Sequence, residues 1–519
     1  MSEIQTHRTW LETFSLMLHR RVLVMLFLGF SAGLPILLIF SSLSLWLKDA
    51  EVSRSTITFF SWAALGYSFK FIWAPLVDNL RIPVLTAALG RRRSWILLSQ
   101  IAIIISILAM AFSEPTSALT LTAIAAVMLG FSSATQDIVI DAYRIESAKG
   151  DMQSMLSSAY IAGYRTGMIV AGAGALYIAG WIGVEGTYTP HAWTTAYVCM
   201  AIAMLIGVAT TLCISEPTRY KDSHEIFSNN RNVLRFLGCF LICVAIFITT
   251  FSLSGDSFQD LKTWLITDVT DNKSIAGFVA ATVKLWLSIG FAGLAGWILI
   301  QLKAVPREML IEGYVAPVRD FFVKYGKTAL LVILLIGLYR VSDIVMGVIA
   351  NLFYSDLGFS KIEIAAYSKT YGLIATIGGG FLGGAIAIRY GVYKALLTGA
   401  VLSAATNILF AFIVSLDKSG SILIMTITAD NISGGIATAA FVAYLSSLTS
   451  VSFTAMQYAI FSSLMTLFPK IIGGYSGSIV SEIGYSNFFM TTAIMGIPVL
   501  LLIIVAGKHF NNHNNTANS

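Results

Sequence analysis

Long apolar runs are the feature that most constrains this chain. A run of about 18 or more apolar residues has the length needed to cross a lipid bilayer. Of the 519 residues, 56% are hydrophobic and only 12% are charged, about half the charge of a soluble domain. We therefore predict an all-α integral membrane protein with about fourteen transmembrane segments. The segments are 22–47, 55–77, 94–113, 117–141, 154–182, 192–214, 235–254, 276–302, 327–353, 363–388, 393–416, 420–448, 455–481 and 486–507.

The distribution of basic residues predicts the orientation. With the N-terminus inside, the inner connections contain most of the loop lysines and arginines. The outer connections contain six, which are Lys48, Arg54, Lys262, Lys273, Lys361 and Lys418. This asymmetry favours cytoplasmic termini. It also explains the net charge of +6 without a nucleic-acid partner. The run 22–47 is longer than the apolar core of a signal peptide and is expected to be a retained first helix.

A short internal repeat predicts the architecture. Residues 49–61 (DAEVSRSTITFFS) resemble residues 356–368 (DLGFSKIEIAAYS), and both copies join the first two segments of a six-segment block. The two blocks are separated by two segments, so both enter the membrane in the same direction. Parallel repeats of this kind characterise the major facilitator fold, in which substrate binds between two six-helix bundles. The predicted parts are a cytoplasmic N-terminus 1–21, a bundle 22–214, a region 215–326 with two extra helices between two cytoplasmic links, a bundle 327–507 and a cytoplasmic tail 508–519.

Two aspartates lie at the inner end of the fourth segment. In SSATQDIVIDAYR, Asp137 and Asp141 follow Ser133 at helical spacing, and Gln136 lies beside them. The spacing places the carboxylates on one helix face, where they can avoid lipid. Counting the helical rise puts Lys70 of the second segment level with Asp137. The pair is interpreted either as a structural ion pair or as a gate or proton-coupled pair.

An arginine lies near the middle of the fifth segment. Arg165, in GYRTGM, has no carboxylate in its own helix, and Gly163 and Gly167 permit a close approach of another helix. Its partner is either an anionic substrate, bound through bidentate hydrogen bonds, or an acidic residue of another helix.

The second half contains comparable polar positions. Arg340 and Asp343 are three residues apart, and Asp430 precedes Asn431. Arg340 could pair with either aspartate. Lys470 follows a proline that can interrupt its helix.

The link after the second segment contains charged residues that could latch the inner face. Asp78 begins this link, and Arg91, Arg92 and Arg93 end it. Major facilitator proteins have an acidic residue, a glycine and basic residues in this loop, with a shorter spacing than here.

The sequence contains no nucleotide-binding, metal-binding or catalytic motif. The extramembrane stretches are too short to fold alone. We expect no enzyme activity, no cofactor and no metal site, and an ion gradient as the driving force.

Five stretches resemble the AmpG-type muropeptide permeases of the major facilitator superfamily. They are YSFKFIWAPLVDN at 67–79, GRRRSWILLSQ at 90–100, SSATQDIVIDAY at 132–143, GYRTGM at 163–168 and DNISGGIATAAFVAYL at 430–445. The resemblance implies proton-driven import of anhydromuropeptides, N-acetylglucosaminyl-anhydro-N-acetylmuramic acid units with or without peptide, across the inner membrane for peptidoglycan recycling. The expected partners are this solute, protons and membrane lipid, and the chain is expected to be a monomer.

Two alternatives stay open. A major facilitator transporter could carry another solute, such as acetyl-CoA, a nucleotide or a siderophore conjugate, because fold does not determine substrate. A non-transporting membrane sensor is the second alternative, although a sensor usually adds a soluble output domain, and none is visible in the sequence.

Overall fold

The structure is a computed structural model that describes residues 19–52, 60, 63, 65–148, 151–184, 187–217, 230–269, 273–359, 361–416, 418–473 and 476–516. Within these ranges every secondary-structure element is helical, and twelve stretches are long and apolar enough to cross a membrane. The predicted all-α membrane fold is therefore confirmed. The predicted segments 55–77 and 455–481 are not among the twelve, and both include residues outside the described ranges. The count of fourteen stays a prediction.

The first part of the chain contains ten described helices. They are α1 (Arg20–Ile39), α2 (Ser41–Asp49), α3 (Leu65–Phe69), α4 (Ala74–Asn79), α5 (Leu85–Leu89), α6 (Arg91–Phe112), α7 (Pro115–Ser147), α8 (Asp151–Ile169), α9 (Ala175–Ile182) and α10 (Pro190–Cys213). A 3₁₀ turn, Lys70–Ile72, lies between α3 and α4, and a π-helical turn, Val170–Gly174, joins α8 to α9. Prolines begin α7 and α10, a position at which the missing N–H costs nothing.

The remaining described helices follow the same pattern. They are α11 (Asn230–Leu253), α12 (Gly255–Asp268), α13 (Lys273–Gln301), α14 (Arg307–Leu310), α15 (Ala316–Tyr325), α16 (Ala329–Leu338), α17 (Val341–Asp356), α18 (Lys361–Ile364), α19 (Gly372–Tyr390), α20 (Val392–Ile413), α21 (Gly420–Leu448), α22 (Thr454–Gly473) and α23 (Ser476–Thr516). A π-helical segment, Ala365–Tyr371, connects α18 to α19. Most of the first repeat copy lies outside the described residues, so the internal repeat stays a prediction.

The chain divides into two compact units. One comprises Met1–Tyr220 together with Asp320–Ser519, and the other is Lys221–Arg319. The larger unit contains two main hydrophobic clusters, one formed by residues between 34 and 204 and one formed mostly by residues between 321 and 506. Helices α11 and α13, which contain the two extra predicted segments, belong to the smaller unit. The domain boundaries proposed above stay predictions.

Glycines hold α1 and α8 in close contact. A Cβ atom on Gly163 would lie 1.9 Å from the carbonyl oxygen of Leu26, and one on Gly167 would lie 2.2 Å from that of Phe30. Gly29 and Gly33 of α1 approach the backbone of α8 in the same way. The two helices thus present facing small-xxx-small stripes, which allow backbone contact within a membrane.

The two bundles meet at the ends of the helices that contain Asp141 and Thr454. Helix α22 contacts α4 and α7, and α8 contacts α19 and α21. The α8–α19 contact is tight, because a Cβ atom on Gly384 would lie 2.0 Å from the Ser158 hydroxyl oxygen. We call this end of the larger unit the latch end. The distribution of basic residues predicts that it faces the cytoplasm.

Candidate functional site

The aspartates of α7 are buried and bind cations and a tyrosine. Lys70 lies 3.8 Å from an Asp141 carboxylate oxygen, and Arg144 lies 2.9 Å from the other. Tyr160 donates a hydrogen bond to Asp137 at 3.4 Å. Asp137 and Asp141 are only 7% and 4% exposed. The polar stripe of α7 therefore faces other helices, as its spacing predicts.

The predicted pairing of Lys70 with Asp137 is wrong in its direct contact. Lys70 forms its ion pair with Asp141, and it interacts with Asp137 through longer-range electrostatic attraction. The depth comparison assumed a continuous α-helix through Lys70. The chain instead forms a 3₁₀ turn at Lys70–Ile72, in which the rise and rotation per residue are larger than in an α-helix.

Arg144 lies between the two bundles. Its guanidinium donates to Asp141 and to the Ser157 hydroxyl at 2.7 Å. The faces of Tyr160 in α8 and Tyr458 in α22 lie 5.4 and 5.1 Å from it, within the range of cation–π attraction. Arg144 is fully buried, and among the described residues Asp141 is the carboxylate in direct contact with it, shared with Lys70.

Four side chains from both bundles form a second cluster at the latch end, which we call the latch cluster. They are Asp78 of α4, Arg92 of α6, Glu146 of α7 and Thr454 of α22. Arg92 donates to Asp78 at 2.8 Å, to Glu146 at 2.5 Å and to Thr454 at 2.7 Å. Thr454 in turn donates to Glu146 at 2.6 Å. Arg92 is 1% exposed, so both carboxylates neutralise a buried charge.

Asp78 also accepts from the first backbone N–H groups of α22. Its two oxygens lie 3.2 Å from the Ala455 nitrogen and 2.9 Å from the Met456 nitrogen. These N–H groups have no partner within the helix, and the helix dipole favours an anion there. Asp78 thus joins the two bundles by charge and by backbone hydrogen bonds.

The other predicted latch arginines have different roles. Arg91 lies 3.5 Å from Glu146 and donates to the Asp78 carbonyl oxygen. Arg93 donates to the last carbonyl groups of α10, Thr211 and Leu212, and so lies within one bundle. Glu216, which the sequence reasoning missed, accepts from the backbone nitrogens of Arg92 and Arg93 and caps α6.

Arg165 of the first bundle and Arg340 of the second lie close enough for their charges to interact. Arg340 donates to Asp343 and to the Thr438 hydroxyl. Of the two pairings left open above, the structure forms the one within the i, i+3 pair, and Asp430 instead accepts from Thr406 at 3.0 Å. Arg340 and Asp343 are the charged groups that act on Arg165 from the opposite bundle.

Arg165 has no direct ion pair in the described part of the chain. Its described side-chain contact is the Met168 sulfur at 3.7 Å. A partly buried arginine keeps its charge at all physiological pH values. The site therefore contains one guanidinium whose charge is not matched by a protein carboxylate in direct contact.

Three further predicted residues have local partners or are undescribed. Gln136 donates to Ser31 at 2.7 Å inside the first bundle. Asn431 accepts from Thr376 at 2.8 Å, in the contact of α21 with α19. Lys470 belongs to α22, but its side chain lies outside the described residues. Across the described residues, no group of three or more His, Cys, Asp or Glu side chains is arranged to hold a metal ion.

Two solved transporters have the same fold. The proton:xylose symporter XylE bound to 6-bromo-6-deoxy-D-glucose matches with a TM-score of 0.59 and 13% identity, covering 95% of each chain. FucP in its outward conformation matches with a TM-score of 0.56 and 10% identity, covering 94% of this chain and 98% of FucP. Both are major facilitator transporters.

Sequence comparison gives relatives over nearly the whole chain. "Putative transporter AmpG 4" of Rickettsia conorii is 28% identical over 491 residues, covering 95% of this chain and 97% of the relative. The chain is therefore similar to AmpG-type transporters over nearly its whole length, and its fold is that of the major facilitator transporters. The "Anhydromuropeptide permease" of Escherichia coli strain K12 is 29% identical over 487 residues, covering 93% and 79% of the two chains. The family model of acetyl-coenzyme A transporter 1 matches residues 21–180 of the chain.

These findings confirm the resemblance and the transport function. The chain is a multi-pass protein of the inner membrane, and the relatives that it matches are permeases of small-molecule solutes rather than enzymes.

Proposed function

We propose that the chain imports anhydromuropeptides from the periplasm to the cytoplasm together with protons. The observation that carries the proposal is Arg165, a partly buried guanidinium without a direct carboxylate partner in the described structure. Anhydromuropeptides that contain peptide have free carboxylates. A planar guanidinium binds a carboxylate through two parallel hydrogen bonds, so Arg165 is suited to such a solute.

Arg340 and Asp343 extend the proposed site into the second bundle. While Asp343 is ionised, it holds the Arg340 guanidinium. Protonation of Asp343 would weaken that pair, and Arg340 would then be available to the solute. Proton binding and solute binding would thereby favour each other, as symport requires.

The orientation is part of the proposal. With both termini cytoplasmic, the latch cluster lies at the cytoplasmic face, and its contacts across the bundles correspond to a transporter closed to the cytoplasm. In this state the central arginines would be reached from the periplasm. We further propose that the chain functions as a monomer in lipid, because a single chain supplies both halves of the proposed site.

Uptake of labelled anhydromuropeptide into right-side-out membrane vesicles tests the function. Vesicles that contain the protein should accumulate the label when the outside is acidified, and a protonophore should abolish accumulation. Vesicles without the protein supply the background. Equal uptake with and without the protein would refute the proposal.

Acetyl-CoA is the second candidate solute, because the acetyl-coenzyme A transporter family model matches residues 21–180. It is also an anion that an arginine can bind. Competition separates the two solutes: excess unlabelled acetyl-CoA should leave muropeptide uptake unchanged, whereas strong competition would favour this alternative.

A further inference from the structure

Two cations and two carboxylates form a charge-balanced group beside the latch cluster. Lys70, Asp137, Asp141 and Arg144 are each no more than 7% exposed. Asp141 binds both cations, at 3.8 Å and 2.9 Å. Balance matters here, because a buried ion without a counter-ion is strongly destabilising, whereas a buried pair can be close to neutral.

Arg144 is the member of this group that reaches the second bundle. Its guanidinium lies over the ring of Tyr458 in α22, while Asp141, Ser157 and Tyr160 hold it from the first bundle. Its Nε atom has no hydrogen-bond partner in the described part of the chain. The Asp141 carboxylate, with one oxygen 2.9 Å from the Arg144 guanidinium, is therefore the main counter-charge of Arg144.

We propose that Arg144 is the positioning residue that links protonation of Asp141 to opening of the latch end, an inference that rests on the proposed proton-coupled transport. When Asp141 is ionised, Arg144 stays dry between Tyr160 and Tyr458, and the bundles are closed. When Asp141 binds a proton, the group has an excess positive charge, and the buried guanidinium needs water. Water reaches it once α22 separates from α7.

The surrounding charged and titratable groups fit this sequence of events. Asp141 faces Lys70 from the 3₁₀ turn and Arg144 from α7, and Asp137 lies one helical turn further along α7. Tyr67 of α3, Tyr160 and Tyr164 of α8 and Tyr458 of α22 are the tyrosines that face this group. A proton that reaches Asp137 first can pass to Asp141 through a change in the partners of Lys70.

Opening is measurable without any solute. Ser154 of α8 is 3% exposed, and its backbone lies beside Gly384 of the second bundle. The full-length Ser154→Cys protein in lipid nanodiscs is treated with a small alkylating reagent between pH 5 and pH 8. Mass spectrometry measures modification at position 154 alone, so the four native cysteines do not interfere. Rates are corrected for the pH dependence of a free cysteine peptide.

The expected result is a corrected alkylation rate that rises about tenfold or more from the alkaline to the acidic end, since the protonated fraction of a carboxyl group changes by up to about tenfold per pH unit at pH values above its pKa. Asp141→Asn should give the high rate at every pH. Tyr458→Leu should also flatten the response, and Tyr458→Phe should retain a response weaker than the parent's, because the aromatic face remains but the hydroxyl that interacts with Arg144 is lost.

Phe461→Leu is the matched control. Phe461 lies one turn from Tyr458 in the same helix, is equally buried at 4%, and packs on Phe321 within its own bundle. This variant loses a similar aromatic volume and should keep the pH response. The proposal is overturned if Tyr458→Leu keeps the wild-type response, if Phe461→Leu loses it equally, or if the response persists in Asp141→Asn, which would assign it to the latch carboxylates.

The assay also separates this inference from the proposed function. A pH response that depends on Arg144's partners, in a protein that takes up no muropeptide, would keep the coupling element and reject the solute. Muropeptide uptake with an alkylation rate that does not change with pH would keep the proposed solute and reject the coupling role of Arg144.

Discussion

Replacement of Asp78 by asparagine is expected to open the latch end. Asp78 accepts one hydrogen bond from Arg92 and two from the N-terminal backbone of α22. Asparagine has a similar shape but no charge, and one of its two polar atoms is a donor. The variant therefore loses a charge-assisted bond of about 1.5–3 kcal/mol and a favourable anion at a helix N-terminus of up to about 2 kcal/mol.

The remaining ion pair of Arg92 with Glu146 limits how far the Asp78→Asn substitution destabilises the closed state. Glu146 still neutralises Arg92 in the variant, so the larger penalty of an unpaired buried charge does not apply. A net loss of about 3 kcal/mol for the closed state corresponds to an increase of about 100-fold in the ratio of open to closed protein.

Alkylation of Ser154→Cys at neutral pH measures this ratio. Asp320→Asn is the matched control, because in the described part of the chain Asp320 accepts its side-chain hydrogen bonds from Ser450 and Gln457 of the same bundle. The Asp78→Asn protein should be modified much faster than the parent, and the Asp320→Asn protein at the parent rate. Equal rates in all three proteins would refute the role of Asp78 as an interbundle contact.

Three further predictions concern the membrane interior. Arg165→Lys should lose most uptake at normal abundance, because lysine retains the charge but not the planar two-pronged donor; unchanged uptake would reject bidentate recognition. Gly163→Ala should lower abundance and thermal stability, since its Cβ would lie 1.9 Å from a backbone oxygen, whereas Gly180→Ala, with no atom within 4 Å, should match the parent; similar melting of both variants would contradict the close-packing account. Lys70→Ala should keep normal abundance and lose uptake, because Asp141 retains Arg144 at 2.9 Å and Asp137, left without a cation, can become neutral by binding a proton; a fall in abundance would assign Lys70 a structural role.

The contacts that sequence spacing predicts are those within one helix or across a glycine stripe. The spacing of Asp137 and Asp141 indicates one face, and the structure buries that face. Gly163 and Gly167 predict a close helix contact, and α1 provides it. In both cases 3.6-residue periodicity relates sequence position directly to side-chain direction.

The contacts that sequence spacing does not predict join distant parts of the chain. Glu146 and Thr454 are 308 residues apart, and neither has a local pattern that relates it to Arg92. The incorrect pairing of Lys70 has a different cause, because a 3₁₀ turn changes the register of its side chain. A lysine near a broken helix can be placed only when the position of the break is known.

Solute-dependent proton movement tests the central claim most directly. Purified protein is reconstituted into proteoliposomes without any pH gradient, and anhydromuropeptide is added outside while external pH is recorded. We expect the outside to become more alkaline when the solute is added, and liposomes containing Arg165→Lys to give little or no change. Binding of the solute without proton movement would contradict the proposed symport.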